Sequence, residues 1–566
     1  MCGIFSLLNN SNVPNCSDLA KYSQNQIEAE FEKGKLRGPE NSQIYFNDNN
    51  TIIGFHRLAI NGLNAKSNQP LNIQSCTLIC NGEIYNYKEL YKELNIQGET
   101  DSDCEIIIHL YKKFGIEHAL TLLDGVFAFI LVDNSTNQAF IGRDPLGIRP
   151  LYQLMPSNIM SSNIVGFASE LKCLQFLYKE GANNIVQFTP GTYSVYKLYH
   201  NFWTSTYIQN KKYIILTPAM NYLQNPLFDE SPYISEQNIY KNIRSLLYNA
   251  VYKRYINTER PIACLLSGGL DSSLIAGLVS LIHKNNKTPG HVPIETYSIG
   301  LKDSEDIKYA RKVADFIQSN HTEIIVSEDE MFYEIETVVK TIESYDVTSV
   351  RASIGNYLLG KYISKNSEAK VIFNGDGSDE LCGGYLYMNC CPSSLEFDEE
   401  SRRLLKDIHM FDVLRSDKCI SSHGLEPRTP FLDRAFVNYY LSIPAITRNH
   451  NINGTIEKYL LRSAFQNCGI IPEEILWRKK EAFSDGVSNQ GRSLYQIIQE
   501  KIKEKSDDLS NLKELEKHYY KTIFEKHYKG LTTILPYYWM PKYINSDDPS
   551  ARTLSIYKTE PAIQDS

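Results

Sequence analysis

A chain of 566 residues exceeds what one hydrophobic core usually supports, which predicts two large domains. Its 42% hydrophobic and 22% charged residues are those of a globular protein, and a net charge of −8 argues against general affinity for nucleic acid or anionic membrane. No apolar run approaches the ~20 residues that span a bilayer, and the start MCGIFSLLNN lacks the basic region of a signal peptide. Twelve cysteines without a CxxC pair read as mostly reduced, so a cytoplasmic setting is expected.

Residues 2–205 read as strands with short turns (TIIGFHRLAI, CTLICNGEIY, GVFAFILVD, NQAFIGRD) around a helical stretch, SDCEIIIHLYKKF. This is an α+β or sandwich pattern. The chain then turns polar and aperiodic, predicting a linker over 206–234. A helix, SEQNIYKNIRSLLYNAVYKRYI, opens a second domain expected over 235–545. Short apolar runs alternate there with helical patterns, from PIACLLSGG–LDSSLIAGLVSLI to KVIFNGDGSDE, which predicts a parallel sheet covered on both faces. The last part reads mainly as helices, with a charged amphipathic surface beyond 490 and a tail over 546–566.

A cysteine at position 2 follows a methionine of the kind trimmed before small side chains. Trimming leaves an α-amine titrating near ~8, able to take the thiol proton. Asn81 and Gly82 suit an oxyanion hole, Arg57 a bidentate carboxylate clamp, and Glu83 and Asp103 an α-ammonium site. Singly these read as a turn, a strand-edge ion pair and a helix cap. Together MCGIF, RGP at 37–39, HRLAI, NGEIYNY, SDCE and GRDPLGIRPLY resemble the class II glutamine amidotransferase domain. The resemblance implies an N-terminal-nucleophile hydrolase sandwich. Cys2 is then the nucleophile, Asn81 and Gly82 stabilise the oxyanion, and Arg57, Asn81, Glu83 and Asp103 bind glutamine. One departure is KLRGPE at 35–40, where the family carries an HRGPD-like run; Leu36 and Glu40 replace His and Asp.

Ser267-Gly268-Gly269-Leu270-Asp271-Ser272-Ser273 follows an apolar strand and opens a helix, a context that cradles phosphate without a Walker lysine. It resembles the pyrophosphate loop of enzymes cleaving ATP between the α and β phosphates. NGDGSDE at 374–380, GGYLY, YDVTSVRAS, GLEPRTPFLD and WRKKEAFSDGV, with a fainter DPSAR at 548–552, resemble the asparagine synthetase family. That resemblance implies an α/β ATP-pyrophosphatase domain binding ATP and pyrophosphate through Leu265, Ser267, Gly268, Gly269, Asp271, Ser272, Ser273, Ile299, Thr348, Arg351, Asn374, Gly375 and Lys480. Asp271 and Asp379 would hold Mg2+. Asp376 stands where the family has Glu and is expected to accept a proton as ammonia attacks an aspartyl adenylate.

The expected substrates are glutamine, aspartate and ATP, with no nucleic-acid or membrane partner. Oligomeric state is left open, a homodimer included. A β-lactam-forming relative has no need of Cys2, a catalytically silent relative usually loses the motifs retained here, and SGGLDSS argues against a glutaminase alone. A relative amidating another carboxylate, on a peptide or cell-wall precursor, stays open; the resemblance through YDVTSVRAS and GGYLY favours aspartate.

Overall fold

The computed structural model describes residues 1–9, 18–47, 51–157, 164–200, 202–206, 210–214, 235–286, 292–489, 491–505 and 511–557. The N-terminal part carries β1 (Gly3–Asn9), β2 (Asn41–Asn47), β3 (Thr51–Arg57), β4 (Leu71–Ile73), β5 (Cys76–Ile84), β6 (Gly125–Asp133) and β7 (Gln138–Arg143). After these come β8 (Tyr152–Pro156), β9 (Ile164–Ala168), β10 (Asn183–Gln187), β11 (Thr192–Tyr199), β12 (Phe202–Ser205) and the two-residue β13 (Lys211–Lys212).

They form two antiparallel sheets, β10-β8-β9-β1-β3-β2 and β12-β11-β7-β6-β5-β4, with β13 against β11. Alternation along each strand decides what fills the space between them. Ile4 and Leu8 of β1 meet Ile79, Ala128, Ile130 and Ile141 of the opposite sheet, while Phe5 and Leu7 face outward into a second core. The expected sandwich is therefore present, and the helix predicted in SDCEIIIHLYKKF spans Ile106–Phe114 and covers the outer face of β5–β7.

Most of the expected linker, 207–209 and 215–234, lies outside the described residues. Its described part differs from the expectation: Lys211–Lys212 pairs with β11, and the Tyr213 hydroxyl donates to the Arg143 carbonyl at 2.8 Å. Residues 210–214 thus extend the first domain, because β11 offers them an unpaired edge.

The second domain begins with the helix Glu236–Ile256, followed by β14 (Ile262–Leu265), β15 (Glu295–Leu301), β16 (Asn320–Val326), β17 (Val371–Phe373) and β18 (Glu426–Arg428). All pair in parallel in the order β16-β15-β14-β17-β18. The first three strands are added in one direction and the last two in the other. The carboxyl ends of β14 and β17 therefore flank the point where the winding reverses, the usual place for a ligand crevice in an open α/β sheet.

The remainder is largely helical, as expected, but two boundaries change. Helices Leu494–Lys503 and Leu512–His527 are more than a solvated surface: Ile497, Ile498 and Phe524 enter the core, and Glu516 is fully buried. Nor is 546–557 a free tail, since Asp548 and Leu554 are buried. Sequence periodicity missed both because each depends on a distant ionic partner.

The two domains share cores. Leu154, Leu171 and Leu174 of the first pack in one cluster with Ile335, Val338 and Phe524 of the second. Across this junction Arg37 donates through Nε to the Cys2 carbonyl at 2.9 Å. Its Nη1 donates to Glu170 at 2.8 Å, Asp417 at 2.7 Å and Ser421 at 2.9 Å. The altered RGP loop is thereby accounted for: Leu36 is 63% exposed, and Glu40 accepts from the Ala59 amide at 2.7 Å and pairs with Arg260.

Removing the Arg37 cation strands Glu170 and Asp417 in a buried site, a change that costs about 3–5 kcal/mol where it has been measured in other proteins. Arg37→Met should lower unfolding free energy in urea by about that amount; a loss below about 1 kcal/mol would show that the cluster does not hold the domains together.

Candidate active sites

Cys2 precedes β1 and lies half-buried against β3 and β5. Its amide donates to Asn81 Oδ1 at 3.2 Å, and its thiol approaches the Leu58 carbonyl at 3.6 Å. Burial pushes the thiol up to about 11, with Met1 in place and its α-amine also buried. Asn81 spends its oxygen on the Cys2 amide, which leaves Nδ2 buried with no hydrogen-bond partner. A buried unpaired donor is costly, and one on the side chain that holds the Cys2 amide suits a developing oxyanion.

Asn81 and Gly82 sit within β5 rather than after it, since β6 pairs along the whole strand to Ile84↔Gly125. A Cβ at Gly82 would lie 2.4 Å from the Val126 carbonyl and 2.7 Å from Phe127 Cα, so only glycine permits the strands to close here.

Glu83 and Asp103 are both buried. Glu83 accepts from Asn61 Nδ2 at 2.7 Å and faces Arg428 at 3.5 Å, while burial, then Glu426 and Asp103, push it well above the carboxylate range. Asp103 accepts from the Ile84 amide at 2.6 Å, and burial raises it to about 6. Arg57 differs from the expected free clamp. Its Nη1 donates to the Asn64 carbonyl and Asn68 Oδ1 at 3.1 and 2.6 Å, and its Nη2 to the carbonyls of Asn61, at 3.3 Å, and Gly62. In this state it organises the 61–68 loop, because those carbonyls are its nearest acceptors.

A second site occupies the crevice at the carboxyl ends of β14 and β17, about 1330 Å³ in volume and open to solvent. After β14 the chain turns at Gly268, whose φ is +73° and whose missing Cβ would meet the Ala310 amide nitrogen at 2.4 Å. The Ser267 amide and hydroxyl contact Ser272 Oγ at 3.1 and 2.9 Å, closing the loop over the N-terminus of the helix Leu270–Asn285. That terminus presents free amides and partial positive charge.

Leu265, Ser267, Gly269, Asp271, Ser272, Ile299, Thr348, Asn374, Gly375, Asp376, Asp379 and Lys480 all line one crevice. Three expected residues do not. Gly268 forms the turn behind it, and its carbonyl accepts from Arg478 at 3.0 Å. Ser273 is fully buried on the inner helix face. Arg351 points the other way, bidentate to Glu516 at 2.8 and 2.6 Å and to Asp548 at 2.8 Å through each of two nitrogens. Those two buried carboxylates outcompete a solvated ligand, and neither stands near Arg351 in sequence.

Sequence reasoning missed the cation at the centre of the crevice. Lys458, 2% exposed, reaches Asp271 at 2.7 and 2.6 Å and Asp379 at 2.5 Å. Lys480 completes the quartet, 2.7 Å from Asp379 and 3.8 Å from Asp271. Burial opposes the charge on Asp379, but the two ammonium groups hold it well below its ordinary value. Also missed were Asp412 and Arg415. Arg415 pairs with Asp412 and stands 3.6 Å from Asp376. Asp376 is raised to about 6 by burial, then by Asp412, with Arg415 opposing. No short motif marks these positions; only the placement of the helix Asp412–Ser421 beside β18 and Asn374 could have found them.

Among the described residues no three His, Cys, Asp or Glu converge as a metal cage. Asp271 and Asp379, held together by Lys458 and Lys480, nevertheless suit Mg2+, which takes one or two carboxylates and completes its shell with water and substrate phosphates.

The raised Asp103 has a consequence for stability. Its folded-state value near 6 exceeds the ordinary 3.8, so the folded form binds the proton more tightly, and stability falls as pH rises between those values. Asp103→Asn, which keeps an acceptor for the Ile84 amide, should unfold at higher urea than the parent at pH 7 and by a smaller margin at pH 4. An equal shift at both pH values would remove the carboxylate from this account.

Residues 1–207 match the glutamine amidotransferase domain family, and residues 242–394 and 389–540 match the asparagine synthase family. Asparagine synthetase [glutamine-hydrolyzing] of Mus musculus is 40% identical over 584 residues, covering 99% of each chain. The Homo sapiens protein of that name is 40% identical over 585 residues with the same coverage. That of Gallus gallus is 42% identical over 539 residues, covering 91% of this chain and 93% of its own. With both domain matches in order and near-complete coverage at this identity, the chain belongs to the glutamine-hydrolysing asparagine synthetase family.

Proposed function

We propose that this chain converts aspartate, glutamine and ATP to asparagine, glutamate, AMP and pyrophosphate in the cytoplasm, hydrolysing glutamine at Cys2 and forming β-aspartyl-AMP in the crevice. The observation that carries the reading is the pairing of two built sites in one chain whose domains share a core: a thiol near an orphaned amide donor, and a phosphate loop facing two carboxylates.

In the first site, loss of Met1 would turn the Cys2 amide into an α-amine held by Asn81 Oδ1. That amine accepts the thiol proton as sulfur attacks the glutamine carboxamide, giving a thioester and ammonia. Asn81 Nδ2 and the Gly82 amide receive the oxyanion. Glu83 and Asp103 receive the α-ammonium, whose charge would return both raised carboxyls to their ionised forms. Arg57 takes the α-carboxylate once that group replaces the Asn61 and Gly62 carbonyls on Nη2.

In the second site, Ser267, Gly269 and Ser272 offer donors to the phosphates, and Lys480 and Lys458 balance charge on departing pyrophosphate. Thr348 lies at the same wall, and Leu265, Ile299, Asn374 and Gly375 bound the adenosine end. Asp271 and Asp379 would hold Mg2+, which supplies further charge neutralisation when bound with ATP. Asp376 accepts a proton as ammonia attacks the adenylate. Ammonia released within the joined domains stays unprotonated, whereas in neutral water it is mostly non-nucleophilic ammonium.

Cys2→Ala should abolish glutamine-dependent asparagine and pyrophosphate formation yet retain synthesis with added ammonium chloride; joint loss of both activities would contradict two separable sites. With ammonia as donor and the concentration of unprotonated NH3 held constant as pH changes, parent activity should fall as pH drops through about 6, where Asp376 protonates. Asp376→Asn should lower kcat by about 10²–10⁴ and remove that acid limb. An unchanged rate would take Asp376 out of the chemistry.

A further inference from the structure

The segment Asp548–Tyr557 lies along the outside of the loop that delivers Lys480 to the crevice. Its base is fixed from behind, where Asp548 takes both Nη donors of Arg351 and Gln499 donates to the same carboxylate at 3.2 Å. Ser550 then donates to both oxygens of buried Asp485 at 2.9 and 3.1 Å, gripping the short helix Phe483–Gly486. Further on, Arg552 Nε donates to Glu481 at 2.7 Å. Its Nη1 donates to the Asn489 carbonyl at 2.9 Å and to Ser493 at 3.1 Å. The Tyr557 hydroxyl donates to both Glu481 oxygens at 3.2 and 3.0 Å, and Lys479 Nζ returns a bond to the Tyr557 carbonyl at 3.0 Å.

Glu481 and Lys479 are the chain neighbours of Lys480, and all three line the crevice. From the other side the loop is held by Arg478, which stacks on Tyr309 at 3.9 Å and donates to the Gly268 carbonyl of the phosphate loop at 3.0 Å. The Arg552 and Glu481 side chains are only 6% and 17% exposed, so their pairing is little screened by solvent. Without it, Glu481 would keep only the Tyr557 hydroxyl as a strap partner, and the loop would lose its ionic tie on this face.

We infer that Arg552, with Tyr557, is a positioning residue for the phosphate site: by fixing Glu481 it sets the place of the Lys480 ammonium, so that ATP binding and pyrophosphate formation depend on a strap far from the phosphate loop in sequence. The inference rests on the reading of the crevice as the MgATP site. It assigns no substrate contact to Arg552, and it predicts that the glutaminase site, on the other domain, is indifferent to the strap.

The test uses the full chain with ammonium chloride as nitrogen donor and pyrophosphate release as readout. Arg552→Ala should raise KM for MgATP at least tenfold, with a smaller fall in kcat, while glutaminase kcat/KM stays within twofold of the parent. Glu481→Gln should reproduce the pattern, and the double variant should be no worse than the poorer single one, because both remove the same contact. An unmoved KM for MgATP would overturn the inference. So would a glutaminase loss parallel to the synthetase loss, since that reports general damage. A parent chain that binds MgATP but forms no pyrophosphate with aspartate would overturn the asparagine reading alone. Titrating MgATP into parent and Arg552→Ala would then still decide the strap, equal affinities counting against it.

Discussion

The Arg37 guanidinium spends its donors on three separate stretches of chain: the carbonyl of Cys2, the Glu170 carboxylate, and Asp417 with Ser421 on the helix Asp412–Ser421. Around it the same junction carries further buried charge. Lys418 bonds Glu343 and Glu170, and Glu343 also accepts from the Leu171 and Lys172 amides at 2.8 and 3.0 Å. Arg149 stands 3.6 Å from Asp417 and 3.5 Å from Glu426, whose other oxygen takes Arg428 Nε at 2.9 Å. Ion pairs of this kind pay back little net stability relative to an apolar core. Their effect is on register: each side chain has few acceptable partners, so the domains can dock in very few ways.

That constraint reaches both chemistries. The helix whose Asp417 and Ser421 hold Arg37 also carries Asp412 and Arg415, the two groups that set the environment of Asp376. A shift of this helix would move the Cys2 carbonyl and the Asp376 pocket together. Arg428, at the end of β18, extends the same logic by facing Glu83 in the first site from within the sheet of the second domain. Burial of these groups in low dielectric makes any change in charge at one site felt by its neighbours.

How much of this the sequence disclosed follows the range of the interactions. Motifs that act through their own backbone were legible: SGGLDSS makes its own turn and helix terminus, NGDGSDE ends a strand beside it, and the strand alternation around Asn81 gave the sandwich. Arg351 was misread because its residue type and its motif suited a phosphate, whereas its partners, Glu516 and Asp548, lie 165 and 197 residues away. Lys458 was missed for the converse reason. It sits in the turn before the helix Tyr459–Phe465, where a backbone in the left-handed region, φ 59°, turns it into the crevice. The segment over 546–557 was expected to be a tail, and the ion pairs of Asp548 and Arg552 tie it to the second domain.

The quartet of Asp271, Asp379, Lys458 and Lys480 is formally neutral, which explains how four ionised groups coexist in so enclosed a crevice. It also fixes what a ligand must bring. A polyphosphate alone would add negative charge beside two carboxylates already satisfied by the lysines. A cation alone would meet two ammonium groups already in place. Only a combination of the two exchanges partners without leaving a charge unpaired, the lysines passing to phosphate oxygens and the carboxylates to the metal. On this ground a phosphate group without its cation, or the cation alone, is disfavoured by the same buried electrostatics that hold the crevice together.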